Sequence, residues 1–283
     1  MNRLKEKHPV LFCLAIEILF LLFLTITGHI INTFTAKWDF YISRLLVEFL
    51  FALFAFFILY YNKQTYILTR QGKGIKTGLF TGAYLLFIST LSLVLSCIEM
   101  IYPDLYETVG EGNQIVFSLQ SPTHITAFVC FVILVGIAEE FLCRGLIAEV
   151  LLKHFGTDKS GIIKAVVLSG ILFGAGHLTH IRNAGIQSTV VQAIGTAFLG
   201  MILAMAYFVS GNIWAVVLIH AYNDFAAIAF DGGIFVKSGQ DITSSLYGNY
   251  TWSNLISLTP YIVVILILLR KKNIKKIQET FGV

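Results

Sequence analysis

The sequence predicts an all-α membrane protein, a single helical bundle of about eight transmembrane spans. Of its 283 residues, 57% are hydrophobic and 13% are charged, and the mean hydropathy is +0.79. Soluble domains carry about 25% charged residues. The apolar residues form long runs, and a helix that spans a bilayer needs about 20 of them. The net charge of +4 lies mainly at the ends of these runs. It therefore indicates membrane topology and gives no reason to expect nucleic-acid binding.

Eight apolar runs are long enough to cross the bilayer. We place them at about 9–33, 45–62, 77–100, 124–148, 163–180, 188–209, 213–230 and 256–270. The first run is too long for a signal peptide and no small-residue cleavage site follows it, so we expect it to be the first span. No internal repeat or linker divides the chain. Residues 1–283 are therefore expected to form one membrane domain, with its chemistry in a core at about 124–230.

The basic residues indicate the orientation in the membrane. They cluster before the first span, after the second and fourth spans, and after the last one, whereas the 101–123 loop has no Lys or Arg. Cytoplasmic loops are enriched in Lys and Arg, so we expect both termini in the cytoplasm. Four basic residues fall on the opposite side without changing the even number of spans: Lys37, Arg44, Arg182 and Lys237. The 101–123 loop carries three acidic residues: Asp104, Glu107 and Glu111.

Two adjacent glutamates and an arginine interrupt the fourth span. Glu139, Glu140 and Arg144 lie in a run that is otherwise apolar. An ionised group at hydrocarbon depth costs about 2.5–3.5 kcal/mol on insertion scales, so it persists where it is paired or faces a polar cavity. Glu140 and Arg144 are four residues apart and can pair on one helix face. Glu139 lies about 100° round the helix and has no such partner, so we expect it to face a cavity.

Histidines interrupt the fifth and seventh spans. In Phe173-Gly-Ala-Gly-His177 the small residues allow a neighbouring helix to approach closely. In the seventh span His220 and Asp224 are four residues apart. This spacing suits two ligands of one metal ion or a carboxylate that orients an imidazole. Taken alone, the pair is better explained as a polar contact that joins two helices. Together with Glu139, these groups are the types that activate a water molecule and stabilise an oxyanion.

Three other polar residues have simpler interpretations. Glu48 follows Arg44 by four residues, so an ion pair at the end of the span is favoured. Asn212 precedes the seventh span and is expected to cap its helix. Glu17 has no partner nearby in the sequence, and we assign it no role beyond a minor one on a substrate path.

Three motifs, in this order on separate spans, resemble the CAAX protease and bacteriocin-processing family of intramembrane endopeptidases, also called the Abi family. The motifs are Glu139-Glu140-x-x-x-Arg144, Phe173-x-x-x-His177 and His220-x-x-x-Asp224. The resemblance covers about residues 124–230, and the first three spans and the last one carry no motif. The combination of three motifs is more specific than the Glu-Glu element alone.

The resemblance implies a role for each motif residue. Glu139 would activate the attacking water, and His177 and His220 would hold that water or a metal ion, or stabilise the oxyanion. Glu140 and Arg144 would support the fold of the site.

Asp224 stands where the family has Asn or Asp. An ionised Asp cannot donate a hydrogen bond to an oxyanion, so Asp224 is protonated, or the adjacent Asn223 donates, or Asp224 is a metal ligand. The resemblance leaves open whether a metal ion such as Zn²⁺ takes part, with His177, His220 and Asp224 as its ligands.

The expected substrate is a membrane-associated peptide or protein, in bacteriocin processing or self-immunity. Lysine-rich basic segments and abundant Ile and Phe favour a bacterial plasma-membrane protein over a eukaryotic CAAX enzyme. A non-enzymatic immunity or scaffold protein that binds a peptide or membrane partner is the main alternative. A transporter is the second, because buried Glu, Arg and His also form proton relays, although no pair of broken helices marks corresponding halves. The oligomeric state does not follow from the sequence.

Overall fold

A computed structural model describes residues 2–102, 116–239, 242 and 247–282. Its helices are α1 (Asn2–Lys7), α2 (Pro9–Phe34), α3 (Phe40–Tyr61), α4 (Ile75–Thr81), α5 (Ala83–Ile101), α6 (Pro122–Leu142), α7 (Glu149–Phe155), α8 (Lys159–Gly176), α9 (Ile181–Ser210), α10 (Ile213–Ile228), α11 (Thr259–Leu268) and α12 (Lys271–Phe281). Short 3-10 segments cover Thr65–Leu68, His177–His180 and Trp252–Leu258, and π-helical turns cover Cys143–Ala148 and Ala229–Gly233. The acidic residues predicted for the 101–123 loop lie outside the described residues.

The predicted all-helical membrane bundle is confirmed. Within the described ranges, six helical stretches are long and apolar enough to cross a membrane, or up to seven if the bent pair at 252–281 counts as one span. One of the six, Lys159–Ser210, contains both α8 and α9. Counting α8 and α9 separately gives seven, and the bent pair as one further span gives the eight that the apolar runs predict.

Helices α8 and α9 form a tight antiparallel hairpin, and the small residues of α8 make this possible. A Cβ atom at Gly174 would lie 2.3 Å from the carbonyl oxygen of Ala193, and one at Gly170 would lie 2.7 Å from that of Ala197. A side chain at either glycine would therefore collide with the backbone of α9. The close helix approach predicted from these glycines is confirmed.

Helix α6, which carries the Glu-Glu motif, is enclosed by neighbouring helices. It packs against α3 on one side and α10 on another, and it continues through the π-helical turn Cys143–Ala148 into α7. Every residue of that turn is buried. The Glu-Glu motif is therefore surrounded by protein, which lets its charged groups find partners on neighbouring helices rather than in lipid.

The segments that carry most basic residues meet at one end of the bundle. Arg70 contacts Glu149 and the hydroxyl of Tyr207, and Lys73 forms a 2.8 Å ion pair with Glu279 in α12. The Asn212 side chain accepts a hydrogen bond from the backbone N–H of Ala215 at 3.2 Å, as expected for a helix cap. The clusters predicted to share one side of the membrane are thus neighbours in space.

The opposite end contains contacts that the sequence pattern does not predict. Asp39 caps α3, accepting from the backbone N–H of Tyr41 at 3.0 Å, and its other oxygen lies 2.6 Å from His124 Nδ1. Two short strands, β1 (Phe117–Leu119) and β2 (Phe235–Lys237), pair antiparallel beside them. These contacts fix the ends of α3 and α6, which bring Glu48, Glu139 and Glu140 to the site.

Candidate active site

The buried ion pair of the Glu-Glu motif holds together the helices that form the site. Arg144 Nη1 donates to Glu140 Oε1 at 2.7 Å, and both side chains are almost fully buried. Arg144 also donates from Nη2 to the carbonyl oxygen of Gly200 at 3.1 Å, and its guanidinium lies 4.3 Å from the centre of the Phe173 ring. The pairing expected from the four-residue spacing is present, and it links α6 to α8 and α9.

His220 is the second partner of Glu140. Its Nδ1 lies 2.7 Å from Glu140 Oε1, and because an ionised carboxylate only accepts hydrogen bonds, Nδ1 carries a proton. The other ring nitrogen, Nε2, lies 3.8 Å from Glu139 Oε2 and 3.5 Å from Asp224 Oδ2. Glu140 therefore fixes the tautomer and the direction of the ring, so that Nε2 faces the other two carboxylates.

The remaining motif residues converge on one cavity of about 460 Å³ between the helices. Five of the predicted site residues line it: Glu139, His177, His220, Asn223 and Asp224. Glu139 faces this cavity, as expected for the glutamate without a partner on its own helix, and its side chain is 23% exposed. The structure thus brings together the polar groups of α6, α8 and α10.

His177 ends α8 and presents one nitrogen to the cavity region. Its Nδ1 lies 3.2 Å from the carbonyl oxygen of Phe173. A carbonyl oxygen only accepts, so Nδ1 is the protonated nitrogen and the Nε2 of the neutral ring is a hydrogen-bond acceptor. The Phe173 ring lies 5.6 Å from the ring of His177 and 5.6 Å from that of His220. The Phe173 ring therefore packs against both imidazoles and fixes their positions.

Asn223 supplies an amide next to Asp224. Its Oδ1 accepts from the Ser89 hydroxyl of α5 at 3.2 Å. The Asn223 side chain also hydrogen-bonds Asp224, and since an amide nitrogen has two N–H groups, Nδ2 keeps a second one that can donate into the cavity. The geometry fits the alternative in which Asn223, and not an ionised Asp224, donates a hydrogen bond there.

The resemblance suggests three possible ligands of a zinc ion: His177, His220 and Asp224. In the part of the chain that the structure describes, no group of three His, Cys, Asp or Glu side chains is arranged to hold a metal ion. His220 also has one nitrogen engaged by Glu140, so only Nε2 is available as a ligand. These side-chain positions do not fit the three-ligand set, and we derive no step through a metal ion.

Two glutamates outside the motifs also reach the site. The expected ion pair of Glu48 with Arg44 is not among the contacts of the described residues, and Arg44 instead donates to the Tyr247 hydroxyl at 3.4 Å. Glu48 lines the 460 Å³ cavity. Glu17 lines a smaller neighbouring cavity of about 100 Å³ together with Glu139 and His177. The signal for both was a glutamate inside an apolar run, which does not say which helix it faces.

Comparison with known proteins supports the motif-based resemblance. Residues 121–226 match the family model described as Type II CAAX prenyl endopeptidase Rce1-like. This segment contains all three motifs and covers less than half of the chain. The match confirms the resemblance to the CAAX protease and bacteriocin-processing family over this segment, and it supports an intramembrane protease. No curated protein and no solved structure matches the chain.

Proposed function

We propose that the protein is an intramembrane endopeptidase that hydrolyses a peptide bond in a membrane-associated peptide or protein, with Glu139 as general base. One observation carries the proposal. The ring of His220 is fixed by Glu140, and its Nε2 faces Glu139 and Asp224 at the wall of a shared cavity. A scaffold would need a polar contact between helices but no cavity lined by a base and two imidazoles.

The first step places a water molecule between Glu139 and His177. The carboxylate of Glu139 takes one proton of this water, while the other proton is donated to the Nε2 of neutral His177 as a hydrogen bond. The water oxygen then attacks the carbonyl carbon of the scissile bond, forming a C–O bond and a tetrahedral oxyanion. General-base catalysis of this kind contributes about 10²–10⁴-fold to a rate.

The second requirement is stabilisation of the oxyanion. A protonated His220 donates from Nε2, and the Nδ2 of Asn223 is a second donor in the same cavity. The carboxylates of Glu140, Glu139 and Asp224 surround the His220 ring and stabilise its positive charge. Loss of one oxyanion donor costs about 10²–10³-fold in kcat in other hydrolases.

The tetrahedral intermediate then breaks down. Glu139 returns the proton to the nitrogen of the leaving amine, the C–N bond breaks, and the products are a carboxylic acid and a free amine. Atoms and charge balance with one water consumed per bond. His177, His220 and Asn223 return to their starting states, and no other reactant is required.

The proposed setting is a bacterial plasma membrane with both termini in the cytoplasm. The clustering of four basic residues around one cavity at a single end of the bundle supports this orientation: Lys5, Lys63, Arg70 and Lys153. The proposed substrate belongs to peptide maturation, such as bacteriocin processing, or to self-immunity. A prenylated CAAX peptide is the substrate class that the family description suggests, so it belongs in the test.

Substrate trapping tests this proposal. A Glu139→Gln protein keeps the shape of the cavity and loses the proton acceptor, so it should hold uncleaved substrate that mass spectrometry identifies after membrane extraction. Wild-type protein in nanodiscs should then cleave the trapped molecule, and a synthetic prenylated CAAX peptide provides the comparison. An immunity phenotype that survives Glu139→Gln, together with no cleavage by the wild type, would contradict the endopeptidase proposal and favour the scaffold interpretation.

A further inference from the structure

Glu48 is a buried glutamate at the wall of the candidate active-site cavity. The residue is 8% exposed and lines the 460 Å³ cavity with Glu139 and Asp224. Its position in α3 is held by packing against α6. Among the residues that the structure describes, none forms an ion pair or hydrogen bond with the Glu48 carboxylate. A buried ionised group without a partner is costly, and a ligand that supplies the opposite charge would remove this cost.

The other charges of the cavity do not provide this partner. Glu139 and Asp224 flank the Nε2 of His220, and Glu140 is paired with Arg144 behind the ring. Among the described residues, the cavity wall therefore carries three carboxylates, which are Glu48, Glu139 and Asp224. Two cations oppose them, the protonated His220 of the proposed mechanism and Arg44. One negative charge is in excess.

Arg44 lies close enough for its charge to act on Glu48, but it forms no ion pair with it among the contacts of the described residues. Its guanidinium donates to the Tyr247 hydroxyl at 3.4 Å and lies 5.6 Å from the centre of the Phe40 ring. Glu48 is one helical turn further along α3 and is left facing the interior of the cavity.

Aromatic side chains complete a surface suited to a cation. Three tyrosines line the same cavity: Tyr247, Tyr250 and Tyr261. The faces of aromatic rings attract ammonium and guanidinium groups, by about 0.5–1 kcal/mol at exposed sites and by more where water is excluded. A carboxylate together with aromatic faces is the usual chemistry of a site for lysine or arginine side chains.

We propose that this cavity accepts a lysine or arginine side chain of the substrate close to the scissile bond, with Glu48 as its carboxylate partner. The proposal rests on the proposed endopeptidase function and names the class of substrate for that site. Glu48 acts here as a specificity-determining residue and takes no part in bond breaking.

A peptide capture experiment tests the subsite separately from cleavage. The probes are short randomised peptides with an N-terminal palmitoyl chain and a C-terminal amide, so that neither terminus is charged. Glu139→Gln protein in nanodiscs captures them, and mass spectrometry reads the captured sequences. We expect lysine and arginine to be enriched over glutamine by at least about tenfold at one position. The enrichment should disappear in the Glu48→Gln/Glu139→Gln double variant.

The matched control is Glu17→Gln/Glu139→Gln, which removes another buried carboxylate that lines the smaller cavity. This control should keep the enrichment. Thermal melting shows whether the Glu48 variant folds. If it does not, the test is a captured peptide in which Nε-acetyl-lysine replaces lysine. This peptide should bind the Glu139→Gln protein at least about tenfold more weakly than the lysine peptide does.

The outcomes separate the two proposals. No basic enrichment, or enrichment that persists without Glu48, overturns the subsite. Wild-type protein that cleaves peptides without discriminating lysine from acetyl-lysine also overturns it, while leaving the endopeptidase in place. Capture that depends on lysine and on Glu48, with no cleavage by the wild type, supports the subsite and overturns the proposed catalytic function.

Discussion

The Nδ1 of His220 lies 2.7 Å from the Oε1 of Glu140, although the two residues are 80 positions apart in the chain. This contact connects α10 to α6 and places Glu140 between Arg144 and an imidazole that faces the cavity. Glu140 therefore does more than neutralise Arg144. It orients the ring whose other nitrogen meets Glu139 and Asp224.

The first prediction concerns Glu140→Gln. Glu140→Gln removes the negative charge that stabilises protonated His220, and the amide nitrogen of Gln can donate to Nδ1 of the neutral ring. The oxyanion would then meet a neutral Nε2–H donor in place of a charged one. Loss of a whole oxyanion donor costs about 10²–10³-fold in kcat in other hydrolases, and we expect a loss of at least about tenfold where the donor loses its charge. The measurement is kcat and KM for a trapped substrate, with Glu279→Gln at the surface as control. Near wild-type kcat in a folded Glu140→Gln protein would refute the orienting role.

The second prediction concerns Arg144, which we expect to be structural. Arg144→Ala leaves Glu140 buried without its cation and removes the contacts with Gly200 and the Phe173 ring. Breaking one side of a buried ion pair costs about 3–5 kcal/mol, so the amount of folded protein and the melting temperature should both fall. Arg144→Lys should recover part of the loss because it keeps the charge. A stable Arg144→Ala protein that lost only activity would place Arg144 in the catalytic machinery instead.

The third prediction concerns topology. Reporter fusions after Asn113 and after Val283 should fall on opposite sides of the membrane, with the C-terminal reporter in the cytoplasm. The reason is the enrichment of Lys and Arg at cytoplasmic ends and the grouping of Lys73 with Glu279 of α12 at the basic end of the bundle. Fusions on the same side would contradict the eight-span arrangement.

The fourth prediction concerns metal ions. Because the described side chains do not form a three-ligand group, we expect a chelator to leave the cleavage rate within about twofold of the untreated protein, a change of about 0.4 kcal/mol in barrier height. Total metal content by mass spectrometry of the purified protein is the accompanying measurement. Activity that is lost on chelation and restored by stoichiometric Zn²⁺ would show that the ligands rearrange around a metal.

The sequence predicted the features that depend on local spacing. Apolar runs located the spans because bilayer thickness fixes helix length, and the four-residue spacing of Glu140 and Arg144 predicted their contact. Contacts between distant helices could not be predicted in this way. The pairing of Glu140 with His220 and the position of Glu48 depend on how α3, α6 and α10 pack, which periodicity does not determine. The Glu48–Arg44 pair was expected from spacing alone, and it fails because Arg44 reaches Tyr247.

The most direct test of the central claim is the cleavage rate of the Glu139→Gln protein in nanodiscs, measured on a substrate trapped by that variant. The account predicts a folded protein that binds this substrate with near wild-type affinity and has a kcat lower by about 10²–10⁴-fold, because only the proton acceptor is removed. Equal melting temperatures of the two proteins would establish that the fold is intact. A Glu139→Gln protein that cleaves at close to the wild-type rate would contradict the assignment of Glu139 as the general base.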